Sequence, residues 1–259
     1  MSTLEMHAPD LTTIHTPEIT SPNVAALRSK LLDTMPSVCV ERARLVTEAY
    51  KQHENDPLVL RRARALAHVL ENMTIYIQPG EIIVGNQASK PRAAPIFPEY
   101  STDWIAPEID EFSKRPADQF SVDPQVKREL LKEILPYWQG RTLYDRARLQ
   151  MPEEVWAAQE IGVISGRGNI TSGDGHIIVD IPRVLTMGLE GVMAQAKEAL
   201  QVNESTTDMN SLRSAAFLEG TMIACQAAVQ FARRYADDAE RLAGETADPG
   251  QRQQLLLPA

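Results

Sequence analysis

Cysteine is scarce in this chain: Cys39 and Cys225 are the two in 259 residues. They lie far apart and form no C-x-x-C pair, which excludes the common thiol metal and redox motifs. Cys225 falls in the apolar stretch Met222-Ile-Ala-Cys-Gln-Ala-Ala-Val229 and reads as a buried, inert thiol. Cys39 follows Pro36-Ser-Val and opens a charged helix. A helix N-terminus can activate a thiol, but a structural role is favoured. No apolar run approaches the roughly 20 residues of a membrane span. The first residues, Met1 to Thr20, lack the basic start and apolar core of a signal peptide. Blocks of like charge are also missing, and Arg61-Arg62 reads as the solvated face of a helix. The formal net charge of −9 argues against nucleic acid and anionic membranes as partners. The sum of these absences is a cytoplasmic protein. No Ser-His-Asp arrangement, nucleophile elbow or paired-carboxylate motif stands out.

The apolar fraction of 43% and charged fraction of 24% are ordinary for a globular protein with a sizeable core. Residues 1–22 read as a disordered tail and residues 23–259 as the folded part. Apolar residues at helical spacing predict helices over Val24–Leu32, Val40–His53, Pro57–Leu70, Asp103–Phe112 and Pro124–Trp138. Further helices are expected from Pro152, from Pro182 to about Gln201, and over Met209–Leu242, with a last helical turn near Gln251. Two β-branched runs, Thr74–Ile77 and Glu81–Val84, flank Pro79-Gly80 and suggest a small hairpin or two short buried strands. Gly85 to Tyr100 is long, proline-rich and aperiodic, the mark of a functional or wrapping segment. The expected fold is mainly α with a few short strands.

The most suggestive stretch is Gly166-Arg-Gly-Asn-Ile-Thr-Ser-Gly-Asp-Gly-His-Ile-Ile-Val-Asp180. Its glycines allow positive φ and close approach of a ligand, and they lead to an imidazole, which titrates near working pH. No Lys-Ser/Thr follows, so it is not a P-loop, and it is a poor dinucleotide fingerprint. His176 with Asp174 and Asp180 is a weak metal set without a second histidine. With Ile177–Ile181 as a buried strand, His176, Ile178 and Asp180 share one face, and Asp174 could orient the imidazole. Catalytic corner and capped structural turn remain equally open on spacing alone. His68 reads as packing, and His7, His15 and His53 as surface residues.

Three segments together resemble a known family. They are Cys39-Val-Glu-Arg-Ala-Arg44, Glu81-Ile-Ile-Val-Gly-Asn-Gln-Ala-Ser89 running into Pro91-Arg-Ala-Ala-Pro-Ile-Phe-Pro-Glu-Tyr100, and Gly173-Asp-Gly-His-Ile-Ile-Val-Asp180. Their order resembles the N-terminal part of the glycyl radical enzymes, the pyruvate formate-lyase superfamily. The branch it looks most like holds the B12-independent glycerol dehydratase and formate acetyltransferase-like enzymes.

The resemblance implies a portion of a ten-stranded α/β barrel wrapped by helices, incomplete at its C-terminus. It implies lyase or dehydratase chemistry in anaerobic metabolism, on a small hydroxylated or carbonyl substrate. Hydrogen would be abstracted by a thiyl radical fed from a glycyl radical. A separate radical-SAM enzyme installs that radical, and full-length members are expected to be homodimers.

The radical motifs of the family, Gly-Cys-Val/Ile-Glu and Arg-Val-Ala/Ser-Gly-Tyr, do not occur in the sequence. The chain is thus expected to bind no cofactor itself and to be truncated and inactive alone. Its partner would be the missing C-terminal portion or a full-length homologue. The alternatives are a non-catalytic helical interaction subunit and a decayed remnant. The resemblance carries one residue role: His176 is similar in place to a histidine that contacts substrate hydroxyls, with Asp174 and Asn169 as neighbours.

Overall fold

The computed structural model describes residues 21–165, 171, 178–203 and 208–256, and the statements below concern these. They form helices α1 (Pro22–Asp33), α2 (Glu41–Gln52), α3 (Leu58–Asn72), α4 (Ile105–Glu108), α5 (Pro124–Glu129), α6 (Leu135–Trp138), α7 (Leu143–Gln150), α8 (Glu153–Glu160), α9 (Ile181–Asn203), α10 (Met209–Glu245) and α11 (Pro249–Leu255). Two short strands, β1 (Ser37–Cys39) and β2 (Ala93–Pro95), pair in parallel with Val38 opposite Ala94. The described chain is therefore mostly helical with one two-stranded sheet. Of the expected tail, residues 1–20 lie outside the described residues, while Pro22 is already helical.

The core gathers where α2 and α3 meet the segment from Ile105 to Trp138. Val38, Val46, Val69, Ile105, Leu130 and Trp138 are buried together. Trp138 buries its ring against Tyr50 at 4.9 Å between centroids. Its indole N–H donates to Thr47 Oγ1 at 2.8 Å, and that hydroxyl donates to the Ala43 carbonyl at 2.6 Å. A buried indole needs such a partner.

Helix α10 lies along α3 and α9. Buried Gly220 faces Ala63 and Val59 of α3, a small-residue contact that lets the helices approach. The 37-residue α10 qualifies the reading that no segment has membrane length, because it holds an 18-residue window of mean hydropathy 1.2. Its partners here are helices, and its Arg234 donates to the Met73 carbonyl at the end of α3 at 2.8 Å.

The structure changes several expectations. Residues 74–84 form no hairpin: they adopt no strand, and Ile82 and Ile83 are 68% and 93% exposed. The expected buried strand after His176 is likewise absent at residues 178–180, where Ile178 is fully exposed. A strand needs a neighbour to satisfy its backbone, and neither run pairs among the described residues. The helix expected over Asp103–Phe112 shrinks to the four residues of α4, which contain Pro107, and a 3-10 turn at Phe112–Lys114.

The helix over Pro124–Trp138 is present but widens to a π segment at Leu130–Ile134, just ahead of Pro136. Proline removes an N–H and crowds the preceding turn, and the wider register accommodates both. Helix α7 was not expected. Its start carries a capping box, with Asp145 N–H donating to Thr142 Oγ1 at 3.0 Å and Thr142 N–H to Asp145 Oδ2 at 3.1 Å. The spacing Thr142-Leu-Tyr-Asp145 signals it in sequence.

Replacing Thr47 with valine keeps the volume but strands the buried Trp138 N–H. The expected loss is about 1–3 kcal/mol of unfolding free energy, read by urea denaturation with an unchanged slope.

Candidate functional site

Within the glycine-rich stretch the described residues are Thr171 and Ile178 to Asp180. His176, Asp174 and Asn169 lie outside the described residues. What the structure does show is how the surroundings of that stretch are built. The Thr171 carbonyl accepts from Ser101 Oγ at 3.1 Å, and Trp104 Nε1 donates to the same hydroxyl at 3.1 Å. Ser101 is buried, and the Trp104 ring lies 5.8 Å from that of Phe112. A buried hydroxyl thus fastens the glycine-rich stretch to the end of the aperiodic segment 85–100.

That segment is held by side chains and strands from all around it. Asn86 Nδ2 donates to the carbonyls of Thr74 and Ala88 at 2.9 and 2.6 Å, and its Oδ1 accepts from the Tyr235 hydroxyl of α10. Ser89 N–H donates to Cys39 Sγ at 3.4 Å. Arg92, at φ 51°, caps α1 by donating to the carbonyls of Leu31 and Thr34 at 3.1 and 3.0 Å.

Residues 93–95 pair with β1. Glu99 takes a bidentate contact from Arg42 at 2.5 and 3.1 Å, with both side chains largely buried. The Arg42 guanidinium also lies 3.8 Å from the centre of the Phe97 ring. The carbonyls of Glu99 and Tyr100 then accept from the N–H groups of Leu143 and Tyr144, which start α7.

Two of the resembling segments therefore touch through Arg42 and Glu99. Two residues later Ser101 holds Thr171, which precedes the third segment in the chain. Reading the sequence missed Ser101, Trp104 and the Arg42–Glu99 pair. The signal available was the presence of Arg42 and Glu99 inside the segments that carry the resemblance.

The remaining candidates are structural. His68 Nε2 lies 3.2 Å from Glu48 Oε2 and joins α3 to α2, which agrees with a packing role. His53 is partly buried and lies 3.1 Å from Asp56, so it is not a simple surface residue. His7 and His15 lie outside the described residues.

Cys39 is buried against Ser89. Cys225 lies on α10, where burial pushes its thiol up and disfavours the thiolate. Among the described residues no group of three His, Cys, Asp or Glu could hold a metal ion.

A double-mutant cycle on Arg42→Ala and Glu99→Gln is expected to give a coupling of about 1–3 kcal/mol, measured by chemical denaturation. Ser101→Ala should cost about 1–2 kcal/mol by the same measurement, because it removes the donor to Thr171 and the acceptor for Trp104.

Comparison with known proteins agrees with this arrangement. The family described as pyruvate formate lyase-like matches residues 16–257. The chain is 40% identical to probable dehydratase YbiW of Escherichia coli over 86% of its length, which is 27% of that protein. It is 33% identical to (2S)-3-sulfopropanediol dehydratase of Klebsiella oxytoca over 90% of its length and 29% of that enzyme. The glycerol-bound B12-independent glycerol dehydratase of Clostridium butyricum superposes with a TM-score of 0.87 at 36% identity, covering 91% of this chain and 30% of that one. The chain thus spans under a third of the length of these relatives. Matched over nearly its whole length, the chain belongs to the pyruvate formate lyase-like family of glycyl radical enzymes.

Proposed function

We propose that this chain serves as the N-terminal portion of a glycyl radical dehydratase or lyase acting on a small hydroxylated or carbonyl substrate. The supporting observation is the agreement of fold and sequence with dehydratases over about nine-tenths of the chain. In this reading it contributes helical wrapping, part of the barrel wall and one side of the substrate pocket. The working compartment is the anaerobic cytoplasm.

His176 is the residue assigned to the substrate. An imidazole can hydrogen-bond a substrate hydroxyl and, as a general acid, help it leave as water. Asp174 and Asn169 are assigned as its polar neighbours. The family's glycyl radical supplies hydrogen-atom abstraction, and the residues that carry it are assigned to the rest of the enzyme. The partners are then that remaining portion, a radical-SAM activating enzyme and a second copy of the whole.

The apolar side chains that flank the glycine-rich stretch favour a covering partner. Ile161 and Val163 on one side, and Ile178 and Leu185 on the other, are largely exposed. Soluble monomers rarely leave large apolar patches open. The same observation favours a second reading, a non-catalytic helical subunit that docks on a full-length homologue.

The deciding experiment mixes the chain with the C-terminal portion of a relative and its activating enzyme under anaerobic conditions. The enzyme reading expects a stable complex, a glycyl radical EPR doublet and dehydratase turnover. In that complex, His176→Ala should lower kcat by about 100-fold or more while the doublet persists. Association without turnover would support the docking subunit, and no association with non-cooperative melting would leave a decayed remnant.

A further inference from the structure

A cleft of about 600 Å³ lies between α2, α3, the end of α6 and the start of α7. Its volume suits a small molecule. Arginines converge on it from several elements. Arg42 and Arg141 are each answered by a carboxylate, Glu99 and Glu54 respectively. Arg61 is fixed by backbone carbonyls, donating to His53 at 3.0 Å and to Asp56 at 3.2 Å, so no carboxylate neutralises it.

Arg62 reaches the Tyr50 hydroxyl, and burial raises the pKa of that phenol, which keeps it neutral. Arg62 and Arg146 have no carboxylate ion-pair partner among the described residues. Among the described residues, three guanidinium charges thus stand in one cleft without a carboxylate ion-pair partner, in a chain with 35 acidic and 26 basic residues.

Much of the rest of the lining is apolar or aromatic. Leu58 and Leu66 are both 44% exposed on the α3 side. The Tyr137 ring also lines the cleft, with the Arg141 guanidinium 4.9 Å from its centre. Guanidinium groups bind phosphate in paired hydrogen bonds, and an aromatic or apolar wall accepts a planar body. We propose that this cleft binds a nucleoside phosphate, its phosphates on Arg62 and Arg146 in the field of Arg61, and its base between Leu66 and Tyr137.

The test is calorimetric titration of the purified chain with ATP, tripolyphosphate and adenosine at low and moderate salt. ATP is expected to bind at least about tenfold tighter than either part alone, and more weakly as salt rises. The Arg62→Gln/Arg146→Gln variant should weaken ATP binding by about 100-fold, one factor of ten for each charge-assisted bond. Arg146→Gln alone should weaken it about tenfold, and it spares the contact with Tyr50. Thermal melting followed by circular dichroism checks that both variants stay folded. No binding of ATP, or unchanged binding by a folded Arg146→Gln variant, overturns the proposal. Equal affinity for tripolyphosphate removes the base contact and overturns the nucleoside assignment.

Discussion

Everything around the candidate site depends on satisfying one long segment that has almost no regular structure. From Gly85 to Tyr100 the backbone forms only three residues of strand. Its polar groups must find partners elsewhere. The bidentate contact of Arg42 with Glu99 closes this segment at its far end. Directly beyond it, the carbonyls of Glu99 and Tyr100 start α7, and Ser101 holds Thr171. A planar guanidinium suits this role because it can meet a carboxylate in a fixed fork while stacking on Phe97. Lysine would supply the charge without the geometry.

Arginine recurs in a second role, as the end of a helix supplied from a distance. The last carbonyls of a helix have no internal partner. Arg92 meets those of α1, Arg61 those after α2, Arg234 those of α3 and Arg252 the Ala243 carbonyl of α10. All four donors lie outside the helix whose end they meet, so each cap is also a tertiary tie. Reading Arg61-Arg62 as a solvated face missed this. Arg61 is half-buried and donates to carbonyls beyond the end of α2, while its neighbour Arg62 is exposed, and both line the cleft. The linear sequence shows no basic block because the positive cleft is assembled from separate elements.

Helices were readable because each satisfies its own backbone and announces its ends. Asp123, Asp208 and Asp248 each accept N–H groups of the helix that follows, and the apolar spacing of α2 and α3 matches the faces they bury. The packing of His68 and the structural setting of Cys39 agree with their reading, whereas Cys225, read as buried, is only partly so. The pairing of β1 with β2 was not readable, since it joins residues more than fifty positions apart and both strands are three residues long. Nor was the Ser101 anchor, which depends on a carbonyl seventy residues away. The resembling segments, by contrast, marked the right region without giving its contacts.

The two failed strand expectations share a physical cause. Ile82-Ile83-Val84 and the run through Ile178-Val179 have β-branched composition, yet both are exposed or half-exposed and unpaired among the described residues. Composition expresses a preference for a pleated, half-buried surface, and only a neighbouring strand turns it into structure. Helical segments of the same chain need no such neighbour. In the proposed enzyme the missing neighbours belong to the remaining length of the relatives, of which this chain matches under a third. The exposed apolar runs are then surfaces that such neighbours would cover. Side chains that have no burial partner here would acquire one in the same step that completes the pocket, which couples assembly of the enzyme to the order of its candidate site.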